Sequence, residues 1–311
     1  MKAFITGAAG FVGANLAIRL LNLDTEVHVL VRKTSSPWRL QSIINGLHIH
    51  VGDLNDGDGL LRLFQKIRPD IVYHLAAHGA YHYQHDQKEI LQTTIFGTLN
   101  LLSAAIATNV QIVINTGSSS EYGTKDHPMK EGELIEPNSY YAVGKSAQTL
   151  LCQQFAREEK LPVITLRLFS VYGPFEEPGR LVPTLIQRAT LNEDLPLARP
   201  DTARDFIYVD DVVKAYLETA RHPEHSGNIF NIGSGKQSSL EDIVSNIITI
   251  TKSASRPIWN AYPSRPFDTS IWVADIQKSF NLLNFQATTS LEEGLRKHIK
   301  WFTEHKEAYQ L

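Results

Sequence analysis

The chain has 311 residues, 42% hydrophobic and 20% charged, with a formal net charge of -3. That length suits one large domain or a main domain with a smaller companion, and the balance excludes a basic partner for nucleic acid or an anionic membrane. A single cysteine, Cys152, excludes an intrachain disulfide and a thiolate metal cage. With no charged leader and no apolar run near the ~18 residues of a membrane span, the expectation is a cytoplasmic protein that neither spans a membrane nor is exported.

Residues 1–21 predict a short apolar strand, a turn with Gly7, Gly10 and Gly13 at a spacing of three, and an amphipathic helix. Glu26 to Val31 and Leu47 to Val51 predict strands, Asp56 to Ile67 a helix, and Asp70 to Leu75 and Gln111 to Thr116 two strands flanking a helix over about Gln87 to Asn109. A helix over Ser139 to Lys160 and a strand over Val163 to Phe169 follow. Parallel neighbours need crossovers, so this alternation predicts an α/β fold: a Rossmann-type doubly wound parallel sheet with helices on both faces and ligands at the carboxyl ends of its strands. From Tyr172 the chain departs through a Gly-Pro loop, a helix over Leu181 to Leu191 and a polar connection from Leu195 to Asp205. Phe206 to Val209 is expected to bring it back, with a helix over Asp210 to Arg221 and a strand over Asn228 to Ile232. A helix over Leu240 to Thr251, a proline-punctuated stretch to Asp275, and helices near Ile276 to Leu283 and Leu291 to His305 complete the chain. The expected division is a dinucleotide domain of residues 1–169 plus about 206–233, and a smaller, mostly helical substrate domain of about 170–205 plus 234–311.

The glycine turn sets the chemistry. Gly7 permits the sharp turn, Gly10 leaves room for a pyrophosphate, and Gly13 lets the helix approach the strand, with free N–H groups facing the phosphates. At the end of the second strand stand Arg32, Lys33, Thr34 and Ser35, where an acid would select NAD through the ribose hydroxyls. Guanidinium, ammonium and hydroxyls fit a 2'-phosphate, so the expected cofactor is NADP, with NAD second; the plain alternative is a solvated basic turn. Asp53 is expected to accept from the adenine amino group or to cap a helix. Tyr141 and Lys145 lie four residues apart and share a helix face, following Ser118 at a strand end. A phenol with a pKa near ~10 is a poor base until a neighbouring ammonium favours its phenolate. Ser118 would orient the reacting oxygen, so the trio moves a proton at oxygen while a hydride moves at carbon.

These residues sit within Thr-Gly-Ala-Ala-Gly-Phe-Val-Gly from Thr6, Gly-Asp-Leu-Asn-Asp from Gly52, His-Leu-Ala-Ala from His74, the Ser118 loop ending Tyr122-Gly123, and Tyr-x-x-x-Lys from Tyr141. Arg-Leu-Phe-Ser-Val-Tyr-Gly-Pro from Arg167, Arg-Asp-Phe-Ile-Tyr-Val-Asp-Asp from Arg204 and Asn-Ile-Gly from Asn231 follow. Nearly end to end, the chain resembles the extended short-chain dehydrogenase/reductases that act on nucleotide sugars as epimerases, dehydratases and reductases. The resemblance implies Ser118, Tyr141 and Lys145 as the catalytic residues. It implies dinucleotide contacts from Phe11, Val12, Leu54, Leu75, Ala76, Ala77 and Val171, beside the glycines, Arg32, Lys33, Ser35, Asp53, Tyr141 and Lys145. It also implies a nucleoside diphosphate sugar held by Ser119, Ser170, Leu181, Arg204 and Arg265, and a homodimer through a four-helix bundle that includes the Tyr141 helix.

Departures from the family narrow the reaction. Sugar 4,6-dehydratases carry Thr-Asp-Glu where this chain has Ser118-Ser119-Ser120, and Glu121 falls one position late. Serines supply neither the base nor the acid that dehydration needs. Thr94 and Ser170 replace asparagines common in relatives. His74, His78, His82 and His85, with Tyr81 and Tyr83, read as a loop over the sugar pocket, and no metal is expected. The leading expectation is an NADPH-dependent 4-keto-sugar reductase. The alternative is a nucleotide-sugar 4-epimerase with bound cofactor, dehydration comes third, and a non-catalytic NADP(H) sensor is opposed by the intact trio.

Overall fold

The computed structural model describes residues 1–81, 83–263 and 269–309. The first half runs β1 (Lys2–Thr6), α1 (Phe11–Leu21), β2 (Glu26–Val31), β3 (Leu47–Val51), α2 (Gly57–Ile67), β4 (Ile71–His74), α3 (Gln87–Leu91), α4 (Gly97–Ala107), β5 (Ile112–Ser118), α5 (Tyr140–Glu158) and β6 (Val163–Leu168). The second runs β7 (Ser170–Tyr172), α6 (Leu181–Thr190), β8 (Leu195–Pro196), β9 (Ala203–Arg204), β10 (Phe206–Tyr208), α7 (Val209–Thr219) and β11 (Ile229–Ile232). It ends with β12 (Ser238–Ser239), α8 (Leu240–Thr251), β13 (Pro257–Ile258), α9 (Gln277–Leu283) and α10 (Leu291–Glu304).

Seven strands form one parallel sheet in the order β11-β6-β5-β4-β1-β2-β3. The central strands are apolar almost throughout because each side of the pleat meets a helix. Ala3, Ile5, Val27 and Val29 pack with Leu16 and Leu20 of α1 and Val212 and Tyr216 of α7. The alternate residues Phe4, Val72 and Val113 pack with Leu60 and Phe64 of α2 and Leu101 of α4. Strand order reverses between β1 and β4, and such a switch point opens a crevice at the carboxyl ends. A third core joins α6, α8 and α10 through Leu185, Ile186, Ile243, Ile247, Leu295 and Phe302.

Three features differ from the sequence expectation. Phe206–Tyr208 does not return to the large sheet but pairs in parallel with β7, because Tyr172 and Tyr208 meet edge to face and belong to the third core. A 3₁₀ segment over Trp38–Gly46 fills the β2 to β3 connection and buries Arg39 and Leu40. The helix after β4 contains a π-helical turn at Gln92–Phe96 between α3 and α4. The whole run Gln87–Ala107 is long and apolar enough to cross a membrane, with mean hydropathy 1.5, where no such run was expected; 44% of that window is buried, and the run packs against α2 and α5 as a core helix does.

Candidate active site

A cleft of about 850 Å³ lies at the carboxyl ends of the strands. One wall is the glycine turn. Gly7 has φ +75°, and a Cβ there would stand 2.6 Å from the Ala76 amide nitrogen; a Cβ on Gly13 would stand 2.2 Å from the Gly7 carbonyl oxygen. Backbone therefore packs on backbone. Helix α1 starts at this point with no side-chain cap, and Gly10, Phe11, Val12 and Gly13 all line the cleft. An uncapped helix start facing a cleft fits a pyrophosphate. Leu75, Ala76, Ala77, Asp53, Leu54, Val171, Arg32 and Ser35 line it too.

Lys33 does not line the cleft, contrary to the sequence expectation, and Arg32 lies 3.3 Å from the Glu89 carboxylate. The positive charge counted on at the end of β2 thus already faces an anion supplied by α3. Arg39, which no motif marks, is buried and binds the Phe175 carbonyl at 2.7 Å and Glu177 at 2.5 Å. It ties the 3₁₀ segment to the Gly-Pro loop.

Ser118 ends β5, while Tyr141 and Lys145 project from successive turns of α5, whose start is capped by Ser139. All three line the cleft. Burial holds the Tyr141 phenol above the ordinary range, and the nearby Ser118 hydroxyl opposes that shift. Burial brings the Lys145 ammonium down to about 8. Its Nζ donates to the Thr116 carbonyl and to Gln148 Oε1, both at 2.9 Å. Gln148 in turn donates to Thr98 Oγ1 at 2.9 Å, and Thr98 donates to the Thr94 carbonyl at 2.6 Å. With that proton spent, Thr98 accepts from His74 Nε2, and His74 Nδ1 accepts from Thr6 Oγ1. The imidazole is therefore neutral, and burial with nearby Lys145 holds its pKa down to about 3. His74 is thus a core group joining β1 to α4 and not part of a sugar-facing loop. His78 is buried as well, 3.4 Å from Glu89, and His82 lies outside the described residues. Gln148 was legible, being three residues beyond Lys145 on the same helix face; Thr98 carried no such signal.

Beneath Ser118 lies a second network. Glu121, fully buried, accepts from the Ser118 amide and from Arg167 Nε, each at 2.8 Å. Burial pushes its carboxyl up, and the Arg167 guanidinium opposes this. Arg167 also stacks on Tyr122, whose hydroxyl donates to Asn231 at 2.7 Å. Glu121 does not line the cleft, so it is not placed to take a substrate proton.

The opposite wall comes from distant segments. Ser119, Ser170, Arg204, Arg180 and Trp272 line it. Trp272 donates its indole N–H to Ser119 Oγ at 3.1 Å, and Arg204 stacks on its ring at 5.0 Å. Asp205 is buried and accepts from the amides of Ser234, Gly235 and Ala274, fixing that segment beside Arg204. Leu181 is half exposed and outside the cleft, where its neighbour Arg180 stands instead. Thr94 is buried against α5 while Thr93 faces the cleft, and Arg265 lies outside the described residues. Glu176 lines the cleft with its carboxyl pushed up to about 8 by burial.

Comparison with known proteins agrees with this geometry. A sequence profile of the NAD dependent epimerase/dehydratase family matches residues 3–233. The structure is similar to UDP-glucose 4-epimerase of Thermotoga maritima with UDP-glucose, at 27% identity and TM-score 0.90, covering 98% of this chain and 99% of that one. It is also similar to UDP-glucuronic acid 4-epimerase of Bacillus cereus in complex with UDP-glucuronic acid and NAD, at 29% identity and TM-score 0.87, with coverage of 98% and 99%. A trifunctional UDP-glucose 4,6-dehydratase/UDP-4-keto-6-deoxy-D-glucose 3,5-epimerase/UDP-4-keto-L-rhamnose-reductase of Arabidopsis thaliana is 28% identical over 97% of this chain, which spans about half (47%) of that relative's length.

Proposed function

The chain belongs to the NAD dependent epimerase/dehydratase family, and from that premise we propose that it is a nucleotide-sugar 4-epimerase working with NAD. The observation that carries this reading is the meeting of Ser118, Tyr141 and Lys145 in one cleft, with the serine hydroxyl near the phenol. A nicotinamide ring bound there supplies hydride chemistry at the sugar C4. Tyr141 takes the C4 hydroxyl proton as a base and returns it to the keto oxygen once the sugar presents its other face. Ser118 orients that oxygen, and the Lys145 ammonium, four residues from Tyr141 on the same helix, would favour the phenolate and would hold the nicotinamide ribose. Arg204 and Arg180 line that wall and would meet the diphosphate. Glu176, its pKa raised to about 8, stays uncharged beside them and does not repel it.

NAD replaces the NADP expected from the sequence because Arg32 already faces Glu89 and Lys33 is outside the cleft. Tyr140, Val143 and Leu150 of α5 and Phe96 and Leu99 of the preceding helical run are exposed apolar side chains; a second copy covering them is the proposed homodimer. The test is to incubate the protein with UDP-, GDP-, dTDP- and CDP-sugars and their 4-keto derivatives with each cofactor. An isomer formed with no net cofactor change is the expected result. Consumption of one reduced cofactor per sugar would instead identify a 4-keto reductase, the reading the basic residues after β2 favour.

A further inference from the structure

Along β2 and β3, at one edge of the sheet, four side chains that do not line the cleft share one face. In the parallel register His28 stands beside His48, with Glu26 two residues before it on β2 and His50 two residues beyond on β3. The ligand atoms offered by Glu26, His28 and His48 all lie within 4.8 Å of one another. His28 Nε2 is 2.9 Å from Glu26 Oε1, and the His28 and His48 rings stack with centroids 4.6 Å apart. On the other side of its ring, His28 Nδ1 is 3.0 Å from His50 Nε2.

We propose that Glu26, His28 and His48 bind one divalent first-row transition metal, with zinc as the reference ion, and that His50 positions the His28 ring. Two imidazoles, a carboxylate and a water make the four-coordinate set zinc takes, whereas calcium and magnesium favour all-oxygen sites. For both lone pairs to meet one ion the exposed His48 ring turns out of its stack on His28, and the metal takes the place of the hydrogen that His28 Nε2 shares with Glu26. The neutral imidazole then carries its hydrogen on Nδ1 and donates it to His50, the outer hydrogen bond that metal-bound histidines usually make. The other charged groups facing the set are Lys2 of β1, 3.9 Å from Glu26, and Lys66 of α2, near His50. They offset part of the carboxylate's attraction, which favours a metal held by nitrogen donors over a hard cation. Strand β3 is the outer strand of the sheet. A metal bridging it to β2 stabilises that edge by mass action.

Full-length protein, stripped with a chelator, is titrated with Zn2+ by calorimetry and by thermal unfolding, alongside His48→Gln, His50→Gln and His222→Gln. His48 and Glu26 are exposed, so their substitution leaves the core untouched. His222→Gln controls for a separate surface group, His222, Glu224 and His225. The expected result is a Zn2+-dependent rise in melting temperature that His222→Gln keeps and His48→Gln loses. His50→Gln should bind about 10–100-fold more weakly, as losing an outer hydrogen-bond partner does, and Ca2+ should produce no shift. Absence of zinc binding by the wild type, equal titration of wild type and His48→Gln, or loss only in His222→Gln would each overturn the assignment.

Discussion

The wall of the cleft formed by Gly7, Gly13 and Leu75 to Ala77 is backbone set against backbone, whereas the wall formed by Ser119, Trp272 and Arg204 is side chain set against side chain. On the first wall the separations at Gly7 and Gly13 leave no room for even one methyl group. The second wall is held by single hydrogen bonds and ring stacking between residues far apart in the chain. A backbone wall can hold the same dinucleotide in every relative, and a side-chain wall can be re-cut for a different sugar without disturbing it. The two walls of one cleft are therefore expected to respond differently to substitution.

Substitutions that probe this contrast are expected to differ in size. The largest stability loss should come from Glu121→Ala, which leaves the Arg167 guanidinium buried without its carboxylate. Removing one member of a buried pair costs about 3–5 kcal/mol, readable as a shift in denaturant midpoint, together with lower turnover as the Ser118 amide loses its acceptor. Gly13→Ala follows, because its Cβ would stand 2.2 Å from the Gly7 oxygen. Overpacking of this kind costs about 1–3 kcal/mol, and calorimetry should show weaker NAD binding as helix α1 is pushed from β1. Trp272→Phe keeps the ring beside Arg204 but loses the N–H to Ser119. A neutral hydrogen bond is worth about 1 kcal/mol, so KM for the sugar nucleotide should rise several-fold with NAD affinity unchanged. If Trp272→Phe weakened NAD and Gly13→Ala did not, the division into two walls would be wrong.

The smallest effect at neutral pH belongs to His298, buried in α10 with neither ring nitrogen partnered among the described residues and its pKa held to about 3 by burial. His74 is held equally low. Below the unfolded pKa of about 6.5 the unfolded chain takes up protons that the native rings refuse, so stability falls as pH drops toward 3. Each ring contributes a slope of about 1.4 kcal/mol per pH unit. His298→Leu should flatten the acid limb of a melting-temperature profile by one such share while changing little at pH 7.

The contrast between walls also explains what could be read from the amino-acid sequence. Strand and helix alternation made the parallel sheet legible, because each strand is short, apolar and bounded by turn residues. Gly7, Gly10, Gly13, Tyr141 and Lys145 were legible because their spacing within one element determines their shared placement. Trp272 was not: it meets Ser119 across 153 positions, and nothing local marks it. The end of β2 misled for a related reason. Arg32 reads as a free cation in sequence, yet Glu89, 57 residues on, reaches it in space. His74 was misplaced because a histidine at a strand end looks the same whether it faces solvent or, as here, two buried threonines. Phe206–Tyr208 has the composition of a sheet strand, and its partner is β7 because the third core takes Tyr172 and Tyr208 together.

The most direct measurement follows the C4 hydrogen itself. The sugar nucleotide that the panel identifies as substrate, carrying deuterium at C4, is incubated with wild type and with Tyr141→Phe in ordinary water. The account predicts that the wild type yields the C4 epimer with deuterium retained at C4 and no net change in cofactor redox state, and that Tyr141→Phe is about 10²–10⁴-fold slower while still binding NAD. Deuterium lost to solvent, or an unimpaired Tyr141→Phe, would contradict it.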